Sequence, residues 1–183
     1  MSDAIIERPR RADARRNYDA LLAAARAAFA ERGTDASLED IARRAGVGIG
    51  TLYRNFATRE ALIEAVYVDE VEKLGQAAAD VAELEPWAAL RSWLDRYIEY
   101  VGTKKALVAA LNAQSDVMQA CRAIVYGSGG PLVERGQAAG VVRPDTSIED
   151  IVRLVSGVAG VSYEDADQRA RVLNMSIDAL RSR

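Results

Sequence analysis

The chain has 183 residues, 50% apolar, 6% aromatic and 28% charged, with one cysteine and no histidine. That size and apolar content allow a sizeable core. The absence of histidine excludes the common structural zinc arrangements and every histidine-dependent triad, and Cys121 alone closes no internal disulfide. No metal site and no cofactor are therefore expected. The net charge of −3 is unevenly spread, since residues 1–60 hold eleven arginines against nine acids, a net of +2, and the remainder carries −5. Such polarity turns the basic end toward phosphates and the acidic body away from them. No run approaches the roughly 18 uncharged apolar residues of a membrane span, and no apolar signal core opens the chain. A cytoplasmic location without membrane contact is the expectation.

Residues 1–14 read as a basic flexible arm, with Arg8, Pro9, Arg10 and Arg11 leading to Arg15 and Arg16. An arm of this kind lies along a minor groove or serves only as a solubilising tail. A first helix over 15–32 carries Tyr18, Leu21, Leu22, Ala25, Ala28 and Phe29 on one face and stops at Gly33.

Ser37 is placed to cap a short second helix, with Asp40 three residues on in the reciprocal position. Ile41, Ala42 and Ala45 form its apolar face, Gly46 stands where a helix stop needs positive φ, and Val47 plugs the space between helices. From Ile49 the pattern resumes as an inward stripe of Ile49, Leu52, Tyr53 and Phe56. Gly50, Thr51, Arg54 and Asn55 are left facing outward. This is a helix-turn-helix, whose second helix fits a major groove. Arginine pairs bidentately with guanine, threonine offers a methyl and a hydroxyl, and glycine lets backbone approach. Tyr53 is better set for a phosphate than a base. Thr58 caps the following helix, and Arg59 in its first turn adds a cation to free amide donors. With Ser37, Val47 and Gly48 around the turn, the expected DNA-binding set is Ser37, Val47, Gly48, Gly50, Thr51, Tyr53, Arg54, Asn55 and Arg59.

A long helix over 59–84 links this head to the body, its Asp69, Glu70 and Glu72 read as a solvated face. Pro86 opens a helix with Trp87, Leu90, Trp93, Leu94, Tyr97, Ile98 and Val101, ending at Gly102. Thr103 caps another, carrying Leu107, Val108 and Leu111 toward Asn112, Gln114 and Ser115. A further helix from 116 holds Val117, Met118, Cys121, Ile124, Val125 and Tyr126, with Cys121 a small buried hydrophobe. The run Gly127-Ser128-Gly129-Gly130-Pro131 lacks the Gly-Lys-Ser/Thr ending and preceding strand of a phosphate cradle. It reads as a helix break or kink, with Pro131 starting a segment to 139 that Gly140 and Pro144 end. The last two helices, 147–161 and 165–181, offer more apolar surface than a hairpin buries on itself. Ile151, Val155, Val158, Ala159, Val172 and Met175 are the expected dimer interface, the alternative being that the stripe is monomer core. Glu164 and Asp165 read as helix-capping acidity, and no paired catalytic constellation appears, so the chain is not expected to be an enzyme.

Residues 15–67 resemble the DNA-binding region of the tetracycline-repressor (TetR) family of bacterial regulators. The resemblance rests on Phe-x-x-x-Gly at Phe29 to Gly33, Ile-Ala-x-x-Ala-Gly-Val at Ile41 to Val47, and Leu-Tyr-x-x-Phe at Leu52 to Phe56. Arg59 stands where the family usually carries lysine, and Asn55 where histidine is common. The resemblance implies an all-α fold, with a three-helix helix-turn-helix head over 15–58 and a larger helical ligand-binding and dimerisation domain over 59–183. It also implies a homodimer on an inverted-repeat double-stranded DNA operator, and repression released by a small-molecule effector. The alternative is a regulator with no small-molecule ligand. On the middle helices the expected effector contacts are Trp93, Tyr97, Met118, Cys121 and Tyr126, with Gln114 or Arg122 as polar partners.

Overall fold

In a computed structural model, which describes residues 5–6, 8–107, 111 and 114–182, the chain is all-α. Among the described residues the elements are α1 (Ala12–Arg32), a 3-10 turn (Gly33–Asp35), α2 (Leu38–Arg44), α3 (Ile49–Asn55), α4 (Arg59–Asp80), α5 (Pro86–Leu107), α6 (Asp116–Ala138), α7 (Ile148–Ala159) and α8 (Ala166–Asp178). Val108 and Asn112 of the expected intermediate helix lie outside the described residues, as do positions 1–4 and 7 of the arm. No described helix is long and apolar enough to cross a membrane, and the described residues hold no cluster of metal-ligating side chains.

Two compact units are formed, Met1–Glu70 with Thr103–Cys121, and Val71–Gly102 with Arg122–Arg183. In the first, α1 packs on α2 and α2 on α3. Leu21, Phe29, Ile41 and Leu52 are fully buried there; each such side chain removed from water stabilises by about 1.5–3 kcal/mol. In the second, α7 packs on α8 around Ile151, Val155, Leu173 and Ile177. The tail closes that unit through an antiparallel bridge of Val142 with Arg181, while the Arg181 guanidinium lies 4.1 Å above the Trp87 ring.

Helix boundaries follow the sequence where a cap decides them. Pro86 occupies the first position of α5, Thr58 Oγ1 accepts from the Ala61 amide at 3.1 Å, and Asp165 Oδ1 accepts from the Gln168 amide at 2.6 Å. Gly33 and Gly46 take φ of 67° and 69°, the left-handed values their stops require.

Elsewhere packing overrides local signals. α5 runs through Gly102 and Thr103 to Leu107, because Val101 and Leu107 are buried on either side and one helical glycine costs only about 1 kcal/mol. α6 likewise runs unbroken through Gly127 to Pro131. Gly129 explains this, since a Cβ there would lie 2.6 Å from both Ile148 Cδ1 and Trp93 Cη2. The glycine is a point of close helix approach, not a break. α1 starts at Ala12, taking three residues from the expected arm, while α4 and α8 stop at Asp80 and Asp178, short of the expected ends. Asp69 and Glu70, expected on a solvated face, are buried at 7% exposure each.

Candidate nucleic-acid interface

The turn that presents α3 is built by backbone geometry. The Gly46 amide donates to Arg43 O at 3.1 Å and the Val47 amide to Ala42 O at 3.0 Å, folding the chain back within a few residues of α2. At the other end of α2, Ser37 Oγ accepts from the Asp40 amide at 3.2 Å. The reciprocal half of that box is not made, because the Asp40 carboxylate takes Arg43 and Arg44 instead. Arg44 also donates both Nη atoms to Glu31, at 2.9 and 2.8 Å, tying α2 to the end of α1. That bidentate bond holds the Glu31 carboxyl below its ordinary range.

α3 is anchored by Leu52 and by its C-cap Phe56, both buried, with the Phe56 ring 5.0 Å from Tyr18. The expected inward stripe is only half inward. Ile49 is 37% and Tyr53 50% exposed, because a seven-residue helix held on one side can bury only the i and i+4 positions Leu52 and Phe56. Tyr53 therefore joins the outer surface, and Ile49 adds an apolar group that periodicity had turned inward.

The outer face consists of Gly50, Thr51, Arg54 and Asn55. A Cβ on Gly48 or Gly50 would meet nothing within 4 Å, so neither glycine serves packing. Arg54 lies along the helix surface, Nε donating to Gly50 O at 3.1 Å and Nη2 to Thr51 Oγ1 at 3.0 Å. Asn55 Nδ2 donates to Thr51 O at 2.8 Å. These bonds hold two long polar side chains over the exposed face and reduce the entropy lost when a ligand fixes them. Val47 is half-buried and Gly48 exposed beside them. Arg59 has a structural bond besides: its Nη1 donates to Thr34 O at 2.8 Å and also to Ala36 O. It ties the start of α4 to the loop after α1, a holding role that the sequence pattern did not signal.

The expected effector residues divide between the two units. Met118 and Cys121 are buried in the first, where Gln114 is exposed, and Arg122 is an exposed residue of the second. In the second, Trp93 and Tyr97 stack at 5.5 Å with both side chains buried. The Tyr97 and Ser156 hydroxyls share a hydrogen bond at 2.7 Å; burial pushes the Tyr97 phenol above its ordinary value despite that bond. The buried Trp93 Nε1 has no acceptor among the described residues. Tyr126 is half-buried. A separate groove of about 340 Å³ runs between Gly75, Ala78 and Ala79 of α4, with Ala82 just beyond its end, and Gly127–Arg135 of α6, lined by none of the expected residues. Of the expected dimer residues, Ile151 and Val155 are fully buried within the chain and support a surface from beneath, while Val158, Ala159 and Val172 are half-buried. Met175 is 70% exposed, and two apolar positions outside the expected set are exposed as well, Leu154 at 41% and Val161 at 55%.

Comparison with known proteins agrees with this architecture. Residues 21–66 match the family described as bacterial regulatory proteins, tetR family, and residues 85–182 match the SbtR-like transcriptional regulator C-terminal domain. The crystal structure of TetR transcriptional regulator SCO0520 from Streptomyces coelicolor is 43% identical, with a TM-score of 0.77 over 90% of this chain and 98% of that one. A TetR regulatory protein from Mycobacterium vanbaalenii is 33% identical, with a TM-score of 0.75 over 94% of this chain and 99% of that one. Among curated proteins, the HTH-type transcriptional regulator SAR0097 of Staphylococcus aureus is 31% identical over 110 residues, 58% of this chain and 57% of its own length. A helix-turn-helix with an open outer face, joined to a C-terminal domain of the same lineage, thus makes this chain a member of the TetR family of DNA-binding transcriptional regulators, a family of regulators and not of enzymes.

Proposed function

We propose that the protein is a cytoplasmic homodimeric repressor that sets two copies of α3 into successive major grooves of an inverted-repeat operator and leaves it when a small molecule binds the helical body. The observation that carries this reading is the outer face of α3, where Arg54 is held ready by Gly50 O and Thr51 Oγ1 beside two glycines that serve no packing purpose. Gly50, Thr51, Arg54 and Asn55 read bases, whereas Tyr53 and the amides near Ser37, Val47 and Gly48 meet phosphates. Two such heads related by a two-fold axis span half-sites about 34–36 Å apart. Leu154, Val161 and Met175, exposed apolar side chains of α7, α8 and the turn between them, are offered to the second copy. The effector reading rests on the buried Trp93–Tyr97 stack and its unmatched indole N–H, since a buried donor without a partner is costly until something accepts from it. Effector and operator then weaken each other's binding through a change in α4.

The test is duplex selection from a random pool, followed by anisotropy titrations of variants. Arg54→Ala should cost about 1–3 kcal/mol on the selected sequence and relax preference at one base position. Arg59→Ala should weaken binding to every duplex about equally and lower the melting temperature, because it releases the Thr34 and Ala36 carbonyls. Unchanged discrimination in Arg54→Ala would remove α3 from the role of reader.

A further inference from the structure

The N-terminal arm is not free along its described length. Ile5 and Ile6 are half-buried, and Arg8 bridges two helices. Its Nη2 donates to Asp69 Oδ1 of α4 at 2.7 Å, and its Nη1 faces Asp19 Oδ1 of α1 at 3.5 Å. The Asp69 side chain is only 10% exposed and that of Arg8 25%. Beside it the equally buried Glu70 takes Arg26 Nε at 3.1 Å. Acids set this deeply are costly to desolvate unless cations meet them, so the Asp69–Glu70 pair makes a receptor for Arg8 and Arg26. The arm is strapped across α1 and α4 by one of its own arginines.

The strap's position relative to α3 follows from Tyr18. That ring lies 5.0 Å from Phe56, the C-cap of α3. Arg11 precedes Tyr18 by seven residues, about 10 Å of helix at 1.5 Å per residue. This is comparable with the major-groove width of about 12 Å. With α3 in the groove, that length lets the exposed Arg10 and Arg11 at the head of α1 reach the bounding sugar-phosphate strand. We infer that Arg8 is a positioning residue, which by its bond to Asp69 holds Arg10 and Arg11 against the DNA backbone. The inference rests on the DNA-binding reading above and adds a sign to it: Asp69, an acid, strengthens binding to a polyanion.

Simple electrostatics requires the opposite, so the two accounts separate cleanly. The probe is a duplex selected by the wild-type protein from a random pool, titrated by anisotropy across a range of NaCl concentrations. Asp69→Asn and Arg8→Ala should each bind roughly 3- to 10-fold more weakly and lower the slope of log K against log salt by about one to two units, the loss of one or two phosphate contacts. Base preference should stay intact. Arg10→Ala with Arg11→Ala should produce the same loss, and adding Asp69→Asn to that pair should cost little more, because the contacts the strap positions are already gone. Arg8→Lys should recover most of the slope. Should Asp69→Asn not fold by circular dichroism, Arg8→Ala added to the Arg10→Ala and Arg11→Ala pair carries the comparison: it should cost little more if Arg8 acts by positioning, whereas three independent phosphate contacts would lose affinity additively and overturn the strap. Binding by Asp69→Asn that equals or exceeds wild type at an unchanged slope overturns the strap. A wild-type protein that selects no duplex overturns the DNA reading, and the strap with it.

Discussion

Gly129 and Gly127 lie two residues apart in α6, and the same change at each should move stability in opposite directions. At Gly129 an added Cβ would sit 2.6 Å from Ile148 Cδ1, 2.6 Å from Trp93 Cη2 and 3.0 Å from Trp93 Cζ2, against the 3.4–4 Å of ordinary contact. The neighbours must retreat by the better part of an ångström. Trp93 is fully buried and stacked at 5.5 Å on Tyr97, so it has little room to do so. Overpacking of this kind costs about 1–3 kcal/mol, and the better helix propensity of alanine offsets about 1 kcal/mol of that. Gly129→Ala should therefore destabilise by up to about 2 kcal/mol, lowering the melting temperature by up to about 8 °C for a chain of this size. At Gly127 nothing lies within 4 Å of the new methyl, so Gly127→Ala should stabilise by about 0.5–1 kcal/mol. Urea and thermal melts at one fixed protein concentration would measure both, with Trp93 emission followed in a Trp87→Phe background. A stabilising Gly129→Ala, or equal shifts from the two variants, would refute the claim that the glycine run serves helix packing.

Two further outcomes follow from single contacts. Glu31 in the folded chain titrates below the ordinary 4.5 through its bond to Arg44, so its contribution is complete above that pH and is lost as pH falls through the lower folded value; Glu31→Gln should be less stable than wild type at neutral pH and converge with it in acid, and a stability gap independent of pH would contradict the bond. Met175→Lys places a charge at a position 70% exposed in the single chain, so it should leave helix content unchanged by circular dichroism while sedimentation shifts from dimer to monomer. Sedimentation of the variant identical to that of wild type would move the dimer interface elsewhere.

How far the sequence could be read depended on whether a signal was local. Ser-Leu-Glu-Asp at Ser37 and Ser-Ile-Glu-Asp at Ser147 are nearly the same start signal, and both begin helices. At Ser147 the box closes in both directions. At Ser37 only half forms, since Arg43 and Arg44 take the Asp40 carboxylate, and that competition is settled by Arg44 reaching across to Glu31. Gly33 and Gly46 were legible because positive φ is a property of one residue. The bonds of Arg59 to the Thr34 and Ala36 carbonyls were not legible, because its cationic character is local while those carbonyls come from another segment.

Capping residues, left-handed glycines and 3.6-residue periodicity are encoded within a few positions, and for that reason the helix-turn-helix, the outward set Gly50, Thr51, Arg54 and Asn55, and the all-α class follow from the order of residues alone. Partners distant along the chain decided the rest. Burial of Trp93 and Ile148 against Gly129 kept α6 whole through a proline, and Arg8 and Arg26 turned an apparent solvated face at Asp69 and Glu70 into a buried receptor for the arm. Desolvation and steric fit depend on what arrives from elsewhere in the fold, and no window of neighbouring residues carries that information.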